Sequence, residues 1–169
     1  MDKKVPFTRT QKIMEVITVA MLLLLFGYLI SIWGSIPVKI PSHYNTAGAV
    51  DSYSGKGSIL LMPIIGAGLY IMMTVISFFP AIWNTPVKIT EDNYLVVYQN
   101  IRSIVSYIKL VLVTTFAYIT FRMANADPLD VTFLPIMLTA LTGPIIWYIA
   151  KIIAGNKRIL SESSEIKNH

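Results

Sequence analysis

The chain has no cysteine in its 169 residues. That excludes a disulfide framework and any thiolate metal site, and it removes the usual clue to redox compartment. Charge is scarce too: 14% of residues are charged against 54% hydrophobic, and mean hydropathy is +0.62, well outside an ordinary soluble domain. Histidine is limited to His43 and His169. A zinc site would have only His43 and Asp51 near each other, short of the three or four ligands that zinc takes, so no metal and no cofactor is expected. No acidic residue falls in the middle of an apolar run; Glu15 stands near the start of the first, which leaves a proton relay without carriers. Ser42, Ser52, Ser54 and Ser58 surround one histidine but form no nucleophile elbow, so the chain is read as a non-enzyme. No internal repeat or low-complexity segment stands out.

What the sequence does have is four apolar runs of about 20 residues, the length that crosses the hydrocarbon core. They cover 13–33, 58–79, 104–123 and 132–153. The first follows Lys3, Lys4, Arg9 and Lys12 but is too long for a signal-peptide core and lacks a small-x-small cleavage site, so it reads as a retained anchor. The expected fold is all-α: a four-helix transmembrane bundle over 1–154, with 155–169 as a cytoplasmic tail. Lys and Arg divide unevenly across this bundle. One side collects Lys3, Lys4, Arg9, Lys12, Lys88, Arg102, Lys109, Lys151, Lys157, Arg158 and Lys167; the other has Lys39, Lys56 and Arg122. The asymmetry predicts cytoplasmic termini and an outward loop over 36–57. The net charge of +5 is therefore a topology signal, reinforced by anionic headgroups near Lys157 and Arg158. It gives no case for nucleic acid.

Between the second and third runs, Tyr94, Val97, Ile101, Ile104 and Ile108 recur at steps of three and four. This predicts an amphipathic helix over about 91–103, started by Thr90, Glu91 and Asp92, lying along the inner membrane face or docking a cytoplasmic partner there. Lys109 is expected to snorkel toward that face, with a buried functional lysine as the alternative. Pro63, with Gly66 and Gly68, interrupts the second run, and Pro135 and the Gly143-Pro144 pair interrupt the fourth. These helix breaks serve either packing or a substrate cavity.

Most remaining polar chemistry lies in the outer loop. Pro37 and Pro41 stiffen it, Asn45 and Gly48 supply turn residues, and Gly55 and Gly57 bend the chain back. Its polar set is His43, Tyr44, Asn45, Asp51, Tyr53 and Lys56. Pairing of Asp51 with His43 or Lys56 would lock the loop internally.

The order Pro37, Ile40-Pro41-Ser42-His43, Tyr44-Asn45, Gly48, Asp51 and Lys56, followed at once by an apolar run, resembles the first-loop domain of the SdpI-type membrane proteins. The likeness covers about 22 residues. It implies a bacterial cytoplasmic-membrane protein of the immunity kind, which protects a producer cell from its own secreted peptide toxin. The chain departs from the pattern in having four spans rather than six, and in Tyr53 where a Trp is common. Two roles follow. In one, the loop binds the peptide at the outer surface, with Tyr44 and Tyr53 in contact and His43 and Asp51 shaping the loop. In the other, the chain is a small transport component or an accessory subunit of a larger membrane complex, docking through its kinked second and fourth spans.

Overall fold

The computed structural model describes residues 5–167; Lys3, Lys4 and His169 lie outside the described residues. Helix α1 spans Arg9–Ile32 and opens with a capping box. Thr8 Oγ1 accepts from the Gln11 amide at 3.3 Å, and Gln11 Oε1 accepts from the Thr8 amide at 2.9 Å. Strands β1 (Lys39–Tyr44) and β2 (Val50–Gly55) follow, then a 3-10 turn (Lys56–Leu60) leading into α2 (Leu61–Ser77). A second 3-10 turn, Pro80–Ile82, precedes α3 (Tyr94–Ala124), and α4 covers Phe133–Lys167. Four helical segments, Arg9–Ile32, Lys56–Ser77, Tyr94–Ala124 and Phe133–Glu162, are long and apolar enough to cross a membrane. The chain is by that measure a multi-pass membrane protein.

Helices α1, α2 and α3 form the packed body, and α4 lies against α3. The N-terminal segment, the end of α2, the start of α3 and the second half of α4 meet at one end, through Arg102 with Val5 and Ser77 and Asn93 with Asn156. The strands, the start of α2 and segment 125–132 meet at the other. Gly66 lets α2 and α3 approach closely, since an added Cβ there would stand 3.1 Å from Phe116 Cδ2.

Four expectations need correction. The fold is not purely α: the loop over 36–57 contains a two-stranded antiparallel sheet. The separate helix over 91–103 does not exist as such, because residues 94–124 form one helix about 46 Å long. No Gly or Pro occurs between 87 and 127 to break it. Thr90 and Asn93 instead exchange side-chain to backbone bonds of 3.3 and 2.8 Å one turn ahead of it. Lys109 does not snorkel; it is 1% exposed. Pro63 breaks nothing, because it stands in the first turn of α2, where its missing N–H has no intrahelical acceptor to lose. Pro144 does sit inside α4, which continues helically on both sides of the Gly143-Pro144 pair.

Candidate functional site

The hairpin is built by its turn and its bulge. Asn45 Oδ1 accepts from the Ala47 and Ala49 amides at 3.0 Å each, and the Gly48 amide closes onto the Asn45 carbonyl at 2.9 Å. Gly48 has φ of 82°, a conformation that costs a residue with a Cβ. In the ladder, Lys39 pairs with Gly55 and Pro41 with Tyr53, but register slips between Pro41 and His43 and again before Tyr44. A slip of this kind re-aims side chains. Here it sets His43 Nδ1 2.6 Å from Asp51 Oδ1. Both groups are largely exposed, at 69% and 43%, as is Tyr53 at 59%.

The opposite side of the hairpin is anchored. Ile40 and Pro41 are buried, and Ile40 joins Leu29, Ile36, Ile59, Met123 and Ala124 in one apolar cluster that seats the strands on α1 and α3. Segment 125–132 adds polar ties: the Leu129 amide donates to the Gly48 carbonyl at 2.8 Å, and Tyr44 OH donates to the Asp127 carbonyl at 3.3 Å. Burial pushes the Tyr44 phenol up to about 12, with Arg122 pulling it down and Asp127 adding to the rise. Arg122 Nε in turn donates to the Pro128 carbonyl at 2.6 Å and its guanidinium lies 4.0 Å from Asp127. Lys56 does not join Asp51. Its ammonium donates to the Trp33 carbonyl and lies 4.8 Å from that indole's centre, tying the hairpin to the end of α1.

A cleft of about 220 Å³ runs under the turn, between Tyr44, Asn45 and Gly48 on one side and Asp130, Phe133 and Leu134 on the other. The structure thus brings His43, Tyr44, Asn45, Gly48, Asp51 and Tyr53 onto one hairpin. Pro63 lies at the start of α2, and Gly143 and Pro144 lie apart on α4, lining a groove against α3. Among the described residues no cluster of three or more His, Asp or Glu that could hold a metal is present.

Sequence reasoning missed a second polar centre, between α1, α2 and α3. Glu15 accepts from Lys109 at 2.5 Å, from Ser106 at 2.8 Å and from Tyr70 at 3.0 Å, while Lys109 also donates to Thr74 at 3.0 Å. Nearer the termini, Gln11 Nε2 donates to Ser103 and to the Gln99 carbonyl, each at 2.8 Å. Arg102, 3% exposed, donates to the Val5 and Ser77 carbonyls and stacks 4.4 Å from the Phe7 ring. The signal was available: Gln99, Arg102, Ser103, Ser106 and Lys109 make a polar stripe at helical spacing on an apolar helix. In lipid such a stripe turns inward.

Residues 20–67 match the family model of a domain of unknown function, DUF1648. The DUF1648 segment takes in the second half of α1, both strands and the first turns of α2, so it contains the whole hairpin but not segment 125–132 that braces it. No curated protein and no solved structure matches the chain.

Proposed function

We propose that this chain is a bacterial cytoplasmic-membrane protein of the immunity type, which binds a secreted peptide toxin at the outer surface through its DUF1648 hairpin and does so without chemical turnover. The observation that carries the reading is the division of the hairpin into an anchored face and a presented one. Ile40, Pro41 and the 125–132 ties hold it rigid, while the His43 and Asp51 pair and Tyr53 stand free in solvent. A rigid polar and aromatic surface binds with little ordering cost. The resemblance to SdpI-type proteins supplies the peptide as partner. Orientation rests on charge: Arg102 and Lys109 are buried and cease to count as loop charges, yet Arg9, Lys12, Lys88, Lys157 and Arg158 still outnumber Lys39, Lys56 and Arg122. Both termini are thereby assigned to the cytoplasm.

The second reading, a small transport component or accessory subunit, is favoured by the exposure of α4, on which Leu138 and Ile146 face away from the rest of the bundle. The two are separated by survival of toxin-sensitive cells exposed to secreted peptide toxins, with and without the chain. Protection that disappears in His43→Ala and Asp51→Ala while membrane levels stay normal is the expected result. Absence of protection by the unaltered chain at normal levels overturns the immunity reading.

A further inference from the structure

Helix α4 is fastened to α3 at two places and leaves a gap between them. Toward the hairpin, Tyr118 stacks on Phe133 with ring centres 5.0 Å apart and donates its hydroxyl to Asp130 Oδ2. Toward the termini, Asn93 Nδ2 donates to Asn156 Oδ1 at 2.6 Å, and Val96 packs beside Gly155. Between these fastenings lie two adjoining spaces of about 490 and 840 Å³ that share Tyr107, Ile136 and Ala140.

The wall is mostly apolar, and its polar exceptions define the occupant. Pro144 has no N–H to return to the Ala140 carbonyl, one turn back on the same wall. Among the described residues the Tyr107 hydroxyl has no hydrogen-bond partner, although hydrocarbon offers it none. At the hairpin mouth Asp130 is exposed, with Oδ1 uncommitted among the described residues. Asp130 and Phe133 also line the cleft under the turn, so groove and hairpin are continuous.

We propose that this groove seats the apolar body of a cationic peptide, which enters past the Asp130 carboxylate. The inference rests on the peptide-binding reading above and gives it an intramembrane half. A lipid matches the apolar wall but brings no net positive charge to Asp130, since any headgroup cation comes with its own phosphate. A cationic peptide supplies both, its basic group at the surface and its apolar side chains in the groove. The hairpin then acts as the outer lip, and bound peptide is held along α4 instead of inserting freely into the bilayer.

The test is photocrosslinking of the full chain in nanodiscs to a synthetic 20-residue leucine-rich helix carrying two terminal lysines, beside a version with serines in place of the lysines. A photoreactive residue is placed at Ile136 in the groove, at Tyr53 on the hairpin, or at Leu24, which is 71% exposed on α1. Crosslinking at position 136 well above position 24 is expected. It should fall about three- to tenfold for the serine version and for Asp130→Asn, a substitution that keeps an acceptor for Tyr118. Crosslinks at 53 without 136 overturn the groove and leave surface binding standing. Crosslinks at neither position overturn both. Equal yields at 136 and 24, or for lysine and serine versions, assign the groove to lipid and sink the proposal.

Discussion

Lys109 Nζ lies 2.5 Å from Glu15 Oε1, joining the midpoint of α3 to the second turn of α1. Neither charge stands alone. Ser106 and Tyr70 complete the carboxylate, and Thr74 and the Tyr70 ring, 5.0 Å away, surround the ammonium. Three helices therefore share one neutral polar knot in a setting where an uncompensated charge is costly.

Removing one partner should be worse than removing both. Lys109→Leu leaves Glu15 with its Ser106 and Tyr70 donors but no counter-charge and is expected to destabilise the bundle by about 3 kcal/mol, whereas Glu15→Met with Lys109→Met recovers most of that loss. Unfolding in detergent micelles measures both. A Lys109→Leu protein as stable as the parent would show that the pair contributes nothing.

Gly48 and Gly143 make opposite predictions. An added Cβ at Gly48 would stand 2.3 Å from the Leu129 carbonyl oxygen, and φ there is 82°. Gly48→Ala should therefore cost about 1–3 kcal/mol and release the hairpin from segment 125–132, seen as faster proteolysis within 36–57. At Gly143 a Cβ meets nothing within 4 Å, so Gly143→Ala should leave proteolysis unchanged and gain slightly in helix stability.

The exposed pair on the hairpin should be structurally cheap. His43→Ala or Asp51→Asn removes one solvent-facing contact and is expected to change stability by less than about 1 kcal/mol. Membrane levels and melting temperature near those of the parent would make these variants clean probes of binding. A collapse in levels would mean that the pair holds the hairpin together.

What could be read in the sequence depended on range. The four spans, the Asn45 and Gly48 turn and the His43 with Asp51 pairing are local, set by run length, turn chemistry or a separation of eight residues. The fate of Lys109 was not local, because its partner lies 94 residues earlier and meets it only once α1 packs on α3. The amphipathic pattern of 94–108 implies, for a helix bordering water, a polar side facing out. In this bundle Asn100, Arg102, Ser103 and Ser106 are the buried side. The strands carry little sequence signal, because Pro41 stands inside residues 39–44, Pro37 stands just before them, and the pairing with 50–55 is irregular. The seat of the hairpin on 125–132 had no sequence signal at all.

Tyr44 ties the hairpin to that segment, and its phenol, pushed up to about 12, gives the tie a pH dependence. The unfolded phenol ionises near 10, so the folded state holds the proton more tightly. The contribution is fully present below about pH 10 and is lost between about 10 and 12, as the hydroxyl that donates to Asp127 ionises. Proteolysis within 36–57 by an alkali-tolerant protease should rise over that window in the parent. Tyr44→Phe lacks the bond to begin with, should start about 1 kcal/mol less stable, and should lose that step in the profile. Other tyrosines and lysines titrate in both proteins, so the difference between the two profiles isolates Tyr44. Superimposable profiles would mean that the Asp127 contact does not hold the hairpin in place.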